Sequence, residues 1–390
     1  MNRHVALDSW RGIAAVMVAL HHFTALGAIQ SLKLVHNAYL FVDFFFVLSG
    51  FVIAANYRDR LGAGFGIFNF MVLRWGRLYA LHLLMLALWI ATELALAVGA
   101  GRGTGGRIAF TEPFTTDSIV PQLLLLQAIG LNMDATWNWV AWSISVEFWT
   151  YFVFACAAVA FAARLDRVML LVSAAMIAFM ALAPRDPELF NRWVGLARCF
   201  YGFAIGVLAY SAYRHPLTAR LGRWSRDRAG LGFNHLEVAG ALVLVGFVYE
   251  PKLIDARVMA PLAFGAVVLA YSYDAGWISR QLSARWLTTL GMISYSIYMI
   301  HPFVQLRIMK PLGVAAGKLL GFNVFSEGID RDGKVVQMWG TQPWHGDVAA
   351  VLMLVLVIGL SLLTYRYVEE AFRDFVKGWR KQAVVVTSKA

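Results

Sequence analysis

The chain consists largely of long apolar blocks, and this arrangement constrains its fold more than any other feature. A helix needs ~20 mostly apolar residues to cross a bilayer. Hydrophobic residues make up 60% of the chain and charged residues only 15%, whereas a soluble domain is about a quarter charged. We therefore predict an all-α polytopic membrane protein with ten transmembrane helices. The predicted spans are 8–29, 36–56, 74–98, 142–163, 168–184, 193–213, 236–249, 258–274, 286–306 and 347–368.

The basic residues predict how these spans are oriented. Most of the 34 Lys and Arg residues fall in the segments that share one side of the membrane, and the positive-inside rule makes that side cytoplasmic. Both termini are then cytoplasmic. The basic run Arg214–Arg228 is interpreted as a topology signal beside membrane lipid, with no nucleic-acid partner expected. The apolar segment Ile119–Leu131 is too short to span and is predicted to be a re-entrant or interfacial helix.

The first apolar segment carries ionisable residues at bilayer depth. Arg11 and His22 lie almost three whole helical turns apart, so they share one face, roughly 16 Å from each other along the axis. The side chain of His21 points about a quarter-turn away. Ionisable groups inside a membrane are costly and normally mark a site. The alternative is a buried histidine that only bonds its neighbours.

Further ionisable residues interrupt later spans. Asp43 is the only acid of the second span, and Glu147 lies about one turn inside the fourth span, where it needs a partner. Tyr298 precedes His301 by one turn in the ninth span, and Pro302 then breaks or kinks that helix. These groups fit a site inside the bundle, although each of them could instead serve folding alone.

Four arginines gather at the predicted cytoplasmic entrance of the third span. Arg74 and Arg77 are three residues apart and share a helix face, and Arg58 and Arg60 precede them. Guanidinium groups grip phosphate bidentately, so these residues are candidate phosphate ligands. Snorkelling to lipid headgroups is the alternative.

Four of the 14 tryptophans lie in two predicted outer loops. Trp137 and Trp139 lie at the end of the first loop, and Trp339 and Trp344 lie near the end of the second, which also carries a possible β-hairpin turn at Asp330–Lys334. Flat aromatic faces suit sugar rings, so these residues are candidate acceptor ligands, together with His301 and Tyr298. The alternative is an interfacial aromatic belt.

The cysteines predict no further chemistry. Cys156 and Cys199 both lie in apolar segments, which supports neither a disulfide framework nor a metal site. No metal is expected. Residues 1–375 are predicted to form one transmembrane domain, followed by a cytoplasmic tail, 376–390.

Six motifs in order give the chain a resemblance to the acyltransferase-3 family of integral membrane acyltransferases. They are Arg11-x10-His22, DFFFVLSGFVI, RWGRLY, WSISVEF, SYSIYMIHPF and VEEAFR. The resemblance implies ten transmembrane helices and transfer of an acyl group, commonly acetyl from acetyl-CoA, to an extracytoplasmic carbohydrate hydroxyl. It implies that His22 is the catalytic histidine and Arg11 its motif partner. It assigns Arg74 and Arg77 to the acyl donor and makes Glu147 the essential acid.

The chain departs from the family pattern at two points. The position before the catalytic histidine is usually aromatic, and here it is His21. A fused soluble acyltransferase domain, which some members carry, is absent from this sequence.

These residues predict a mechanism in a bacterial cytoplasmic membrane. Cytosolic acetyl-CoA docks on the four arginines, and its pantetheine arm reaches into the bundle. His22 takes the proton of an acceptor hydroxyl that enters from outside, or forms an acyl-histidine. Glu147 or Asp43 orients the imidazole. The alternatives are acylation of a small molecule such as an antibiotic, and a non-enzymatic glycan transporter or flippase.

Overall fold

The computed structural model describes residues 4–99, 108–129, 136–182, 187–218, 231–250, 256–329 and 333–387. The chain divides into two compact units. Unit 1 comprises Met1–Val52 and Ile205–Ser361, and unit 2 comprises Ile53–Ala204 and Leu362–Ala390. Some predicted features lie outside the described residues, namely the end of span 168–184, the end of Ile119–Leu131, most of the run Arg214–Arg228 and the hairpin turn at 330–332.

The described residues form helices and one two-stranded sheet. In chain order the helices are α1 (Val5–His21), α2 (Ala28–Ser31), α3 (Lys33–His36), α4 (Phe41–Gly62), α5 (Ile67–Gly99), α6 (Ile119–Leu123), α7 (Trp142–Ala160), α8 (Leu165–Leu182), α9 (Pro187–Arg214), α10 (Leu231–Tyr249), α11 (Ala256–Tyr271), α12 (Trp277–Leu282), α13 (Arg285–Met292), α14 (Ser294–Phe303), α15 (Lys310–Leu320), α16 (Pro343–Thr364) and α17 (Ala371–Thr387). Short 3₁₀ turns occur at Ala38–Leu40, Thr116–Ser118, Trp139–Ala141 and Ala162–Arg164. A π-helical turn, Val304–Met309, joins α14 to α15, and a second, Tyr365–Glu370, joins α16 to α17.

The helical membrane architecture predicted from the sequence is confirmed. Seven helices in the described part of the chain are long and apolar enough to cross a membrane, judged by length and composition. At the predicted spans 8–29, 258–274 and 286–306 the structure has shorter helices, namely α1, α11 and the broken pair α13 and α14. The count of ten spans and the cytoplasmic position of the termini stay predictions.

Helix α1 begins where a carboxylate from another part of unit 1 caps it. The two oxygens of Asp274 accept hydrogen bonds from the amides of Val5, at 2.9 Å, and Ala6, at 2.8 Å. The first amides of a helix have no intrahelical acceptor, and a carboxylate there also opposes the positive end of the helix dipole. Asp274 itself has a φ of 49°, a conformation that Asp tolerates better than most residues.

Two glycines bring α1 into very close contact with α13. A Cβ atom added to Gly12 would lie 2.6 Å from the amide nitrogen of Gly291, and one added to Gly291 would overlap the carbonyl oxygen of Asp8. Small residues allow this approach between helix backbones in membrane proteins. The first helix is therefore fixed in position by backbone contact.

Helix α1 ends earlier than the predicted span 8–29. The backbone of the residues after His22 pairs with the hairpin instead, since the amide of Trp339 donates to the carbonyl of Thr24, at 3.1 Å, and the amide of Leu26 donates to the carbonyl of Trp339, at 2.8 Å. Asp347 then accepts hydrogen bonds from the first amides of α2. Distant pairing partners, which the local apolar pattern does not reveal, end the helix at the histidines.

The predicted β-hairpin is confirmed. Strands β1 (Phe325–Ile329) and β2 (Val335–Trp339) pair antiparallel, with Phe325 opposite Trp339 and Ile329 opposite Val335. The ring of Trp339 stacks 6.0 Å from that of Phe23 and lies 4.7 Å from that of Phe325. The hairpin is thus attached to the segment that directly follows His22.

In unit 2, an irregular segment runs back along helix α5. The backbone amide of Phe110 donates to Glu93, the ring of Phe114 stacks on Trp89, and further along the segment the carbonyl of Gln122 contacts His82. The order of these contacts shows that the segment passes from the end of α5 to its middle. Helix α6 is the only helical part of the described portion of Ile119–Leu131, and it stops at Leu123 because the chain then turns at Leu125, with a φ of 55°.

Helix α17 continues through the predicted boundary at residue 375. Val376 is buried, and a Cβ atom added to Gly76 would lie 2.9 Å from one of its methyl groups. This contact attaches the start of the C-terminal helix to α5 within unit 2.

Replacing Gly291 with Ala should destabilise the protein by about 1–3 kcal/mol, because the new methyl group overlaps the backbone of α1. Thermal unfolding of the purified chain in detergent measures this. Gly246→Ala is the matched control, since nothing lies within 4 Å of a Cβ atom there. An unfolding temperature of Gly291→Ala equal to that of the control would contradict the proposed close contact.

Candidate active site

Two histidines from different helices of unit 1 are in direct contact. His22 follows the last residue of α1 and is half-buried, and its Nδ1 lies 2.9 Å from Nε2 of His301. The two rings are nearly parallel, with their planes 8° apart. His301 is 0% exposed, and its own Nδ1 lies 3.1 Å from the carbonyl oxygen of Ile297.

This chain of contacts assigns the protons of both imidazoles in their neutral form. A carbonyl oxygen only accepts, so Nδ1 of His301 carries the hydrogen and its Nε2 is an acceptor. Nδ1 of His22 must then donate to that nitrogen. It follows that Nε2 of His22 carries the lone pair, which is the state that a general base requires.

The region around His301 is built by an irregular helix. Pro302 has no amide hydrogen, and the helix widens into the π turn directly after Phe303, a feature often found at functional sites. From this turn the side-chain nitrogen Nε2 of Gln305 donates to the carbonyl oxygen of Ala19, at 2.9 Å. Gln305 therefore fixes the last turn of α1, from which His22 extends. Sequence analysis did not single out Gln305.

Arg11 is held at the other end of this helix pair. Its guanidinium donates to Ser294 Oγ, at 2.9 Å, and to the carbonyl oxygen of Gly291, at 2.7 Å, and it lies 3.3 Å from Asp8. These contacts join α1 to the junction of α13 and α14, roughly 16 Å along the axis from His22. Arg11 thus fixes the alignment of the two helices that carry the histidines.

The other sequence candidates of unit 1 lie on α1, α4 and α14. His21 contacts the carbonyl oxygen of Val35, at 3.1 Å, so its ring is bound on the side of α3. Asp43 is buried in α4. Tyr298 is also buried, with its ring 6.0 Å from that of His301 and 5.9 Å from that of Phe45. His301 and Tyr298 were predicted to bind the acceptor, but their burial gives them contacts inside the protein instead.

In unit 2, two arginines share one tyrosine ring. The guanidinium carbons of Arg74 and Arg60 lie 4.9 Å and 5.1 Å from the ring centroid of Tyr57, and Arg74 also donates to its hydroxyl oxygen, at 3.0 Å. The Nε of Arg74 is buried without a hydrogen-bond acceptor in the structure. Arg77 is exposed on the same helix, one turn further on. Sequence reasoning missed Tyr57, for which the only signal was its position before Arg58.

Glu147 lies in the same unit and is bonded to a tyrosine one turn along α7. The hydroxyl of Tyr151 donates to its carboxylate, at 2.6 Å. Arg74 and Arg77 act electrostatically on Tyr151. The predicted acid and two of the predicted phosphate ligands are thus neighbours within unit 2.

Arg58 does not belong to this cationic group. Its two terminal nitrogens bind the two carboxylate oxygens of Asp166, at 2.7 Å and 3.1 Å. A bidentate carboxylate already uses the fork that a phosphate would need. In the structure Arg58 forms an ion pair between α4 and α8, and its binding of the acyl donor stays a prediction.

The predicted outer tryptophans separate into packed and exposed residues. Trp137 is fully buried and its indole nitrogen donates to Ser118 Oγ, at 2.8 Å, so its ring has contacts inside the protein, and its role as an acceptor ligand stays a prediction. Trp139 is half-buried beside Trp89. Trp339 packs in the hairpin, whereas Trp344 is 64% exposed at the start of α16.

Metal chemistry finds no support among the residues that the structure describes. Within these ranges, no group of three or more His, Cys, Asp or Glu side chains is arranged to hold a metal ion.

Comparison with known proteins identifies the family of the chain. The chain matches the family model Acyl_transf_3, described as an acyltransferase domain, over residues 4–366. It is 27% identical over 381 residues to the acyltransferase MdmB of Streptomyces mycarofaciens, which covers 92% of this chain and 84% of that protein. It is 37% identical over 97 residues to protein 2 in the picA locus of Rhizobium radiobacter, which covers 25% of this chain and 49% of that protein. No solved structure matches the chain.

The family match extends over nearly the whole chain and includes both units. It confirms the resemblance that the six motifs indicate, and acyl transfer is the activity common to the family model and the longer relative. The protein belongs to the acyltransferase-3 family.

Proposed function

We propose that this membrane acyltransferase moves an acyl group, most simply acetyl from cytosolic acetyl-CoA, onto a hydroxyl of an extracytoplasmic carbohydrate. The acceptor is a cell-surface or exported glycan or its lipid-linked precursor, and the membrane is a bacterial cytoplasmic membrane. The observation that supports the chemistry most directly is the contact between His22 and His301, because it leaves a basic nitrogen on a half-buried imidazole.

In the proposed reaction His22 is the general base. Its Nε2 takes the proton of the acceptor hydroxyl as the oxygen attacks the thioester carbonyl. The tetrahedral intermediate then collapses, the C–S bond breaks, and the CoA thiolate leaves with the proton that His22 returns. An acyl-histidine formed at the same nitrogen is the covalent variant.

His301 has the role in this scheme that a carboxylate has in an acid–histidine pair. It accepts the hydrogen of His22 Nδ1 and thereby holds the ring in one tautomer and one orientation. Its own ring is held by the carbonyl of Ile297. Asp43 is buried in the same unit and is the proposed carboxylate that favours the transient imidazolium.

The arginines of unit 2 are the proposed site for the phosphates of CoA. Arg60 and Arg74 are held over Tyr57, so their charges are fixed in position without using their hydrogen-bond donors on acids. The unpaired Nε of Arg74 is a donor suited to a phosphate oxygen. Arg77 is a third cation one turn away, and Glu147 balances part of this charge through its neighbour Tyr151.

The hairpin is the proposed acceptor-binding element. It is bonded to the segment that follows His22, so a sugar bound against it lies near the base. Trp344 is exposed and can present its ring to a sugar. Outer loops of this kind carry specificity more often than stability.

The substitution His22→Ala should lower acyl transfer by about 10²–10⁴-fold, the contribution typical of a general base. His21→Ala should keep most of the activity, because His21 is bonded elsewhere. Release of CoA thiol by the purified protein, with and without a glycan acceptor, measures both variants. Equal losses in the two variants would refute the assignment, and absence of thioester cleavage in the parent protein would favour a transporter.

Two substitutions of His301 test whether this residue positions the ring of His22. His301→Gln keeps a side-chain oxygen that can accept from His22, whereas His301→Leu has similar bulk and no acceptor. We expect kcat to fall about fivefold more in the Leu variant, with KM for acetyl-CoA little changed, because one neutral hydrogen bond is worth about 1 kcal/mol. Identical kcat values in the two variants would show that His301 serves packing only.

Arg74→Ala should weaken CoA binding by about tenfold or more, since a hydrogen bond to a charged group contributes about 1.5–3 kcal/mol. Arg58→Ala is the control, because Arg58 is already paired with Asp166, and it should leave CoA affinity near that of the parent. Isothermal titration with CoA and with 3′-dephospho-CoA compares them. Equal CoA affinities of the parent and both variants would show that Arg74 does not bind CoA and would favour its contact with lipid headgroups.

A further inference from the structure

The irregular segment along α5 lies where irregular backbone is rarely found. Helix α5 has the length and hydropathy of a membrane-crossing helix, and the segment 108–129 reaches its middle at His82. Non-helical backbone is tolerated at membrane depth only where protein buries it or where it lines a polar space. This segment and the residues it contacts all belong to unit 2.

His82 presents an unpaired acceptor at this place. The residue is 2% exposed, and its Nε2 lies 2.8 Å from the carbonyl oxygen of Gln122. Because a carbonyl oxygen only accepts, Nε2 must carry the hydrogen and Nδ1 must carry the lone pair in the neutral ring. This Nδ1 is buried and has no hydrogen-bond partner in the structure.

Two glutamines of the segment resemble His82, because in each the donor is bonded within the protein and the acceptor is not. The side-chain nitrogen of Gln122 donates to the carbonyl oxygen of Thr136, at 3.1 Å, and to its Oγ1, at 3.0 Å. The side-chain nitrogen of Gln127 donates to the carbonyl oxygen of Ala141, at 3.2 Å. These donors fix the orientation of both amides, and the Oε1 atoms of both are buried without a partner.

The three unpaired atoms are all acceptors, and this property selects their ligand. Buried acceptors without donors are costly, and native proteins normally satisfy them. A phosphate or a carboxylate brings only further acceptors and does not fit. The ligand must donate hydrogen bonds, as water, hydroxyl groups and amide N–H groups do.

Helix α5 also carries the proposed phosphate ligand Arg74. His82 is eight residues further on, which is ~12 Å along the axis and less than a quarter-turn around it. CoA has the matching order of groups, because its pantetheine arm carries two amides between the pyrophosphate and the thiol. Hydroxyls of the acceptor have no such relation to a phosphate site.

We propose that His82, Gln122 and Gln127 bind the amide N–H groups of the pantetheine arm of the acyl donor. This inference rests on the proposed function, since it assumes that Arg74 binds CoA phosphate. The three residues then direct the thioester inward along α5. No charge on the protein is required, because neutral acceptors match neutral donors.

The test uses CoA and two CoA analogues, each with one pantetheine amide nitrogen methylated. The affinity of each compound for the purified full-length protein is measured by isothermal titration. We expect the parent to bind at least one analogue about five- to tenfold more weakly than CoA, the effect of one neutral hydrogen bond. In His82→Leu, which removes the Nδ1 acceptor together with the bond to the Gln122 carbonyl, this preference for CoA should shrink or disappear.

Tyr79→Phe is the matched control. It removes a hydrogen bond to the carbonyl oxygen of Leu123, in the same segment, without touching the three acceptors, and should keep the preference of the parent. Equal affinity of the parent for CoA and both analogues would overturn the proposal without use of any variant. An unchanged preference in His82→Leu and in Gln127→Met would show that the acceptors bind water only.

The outcome also separates this inference from the proposed function. If the parent releases CoA thiol with a glycan acceptor but does not distinguish the analogues, only the pantetheine site is wrong. If it releases no thiol, the proposed function fails whatever the analogues show.

Discussion

The close contact between α1 and the α13–α14 pair is the constraint on which the histidine site depends. Gly12 and Gly291 let the two backbones touch, and Arg11 joins them through its bonds to Gly291 and Ser294. A shift by one residue along this interface is ~1.5 Å along the axis, enough to break a 2.9 Å contact between His22 and His301. Stability and chemistry therefore depend on the same interface.

The structure distinguishes polar groups that serve folding from polar groups that remain available. The guanidinium of Arg58 donates to Asp166, and the indole nitrogen of Trp137 donates to Ser118, so both side chains have hydrogen-bond acceptors within the protein. His82 and Arg74 each keep a buried atom without a hydrogen-bond partner. In an apolar chain such atoms are costly, and they are therefore better indicators of ligand contacts than charge alone.

The end of α1 links the fold to the proposed specificity of the enzyme. The backbone after His22 exchanges hydrogen bonds with Trp339 of the hairpin instead of continuing a helix. This pairing releases His22 from the regular helix, where it would be surrounded by its own helical neighbours. It also places the hairpin beside His22, the proposed base.

The sequence by itself determined the helical membrane architecture and the family, because apolar length and motif order are properties of local stretches. It also pointed to His22, Arg74 and Glu147, since a polar residue in an apolar segment is visible without coordinates. Only the tertiary structure decided what each polar residue contacts. The sequence predicted His301 as an acceptor ligand and Arg58 as a donor ligand, and their contacts in the structure, with His22 and Asp166, join residues that are far apart along the chain. The end of α1 could not be predicted for the same reason, because hydrogen bonds to a distant strand determine it and no local pattern reveals that pairing.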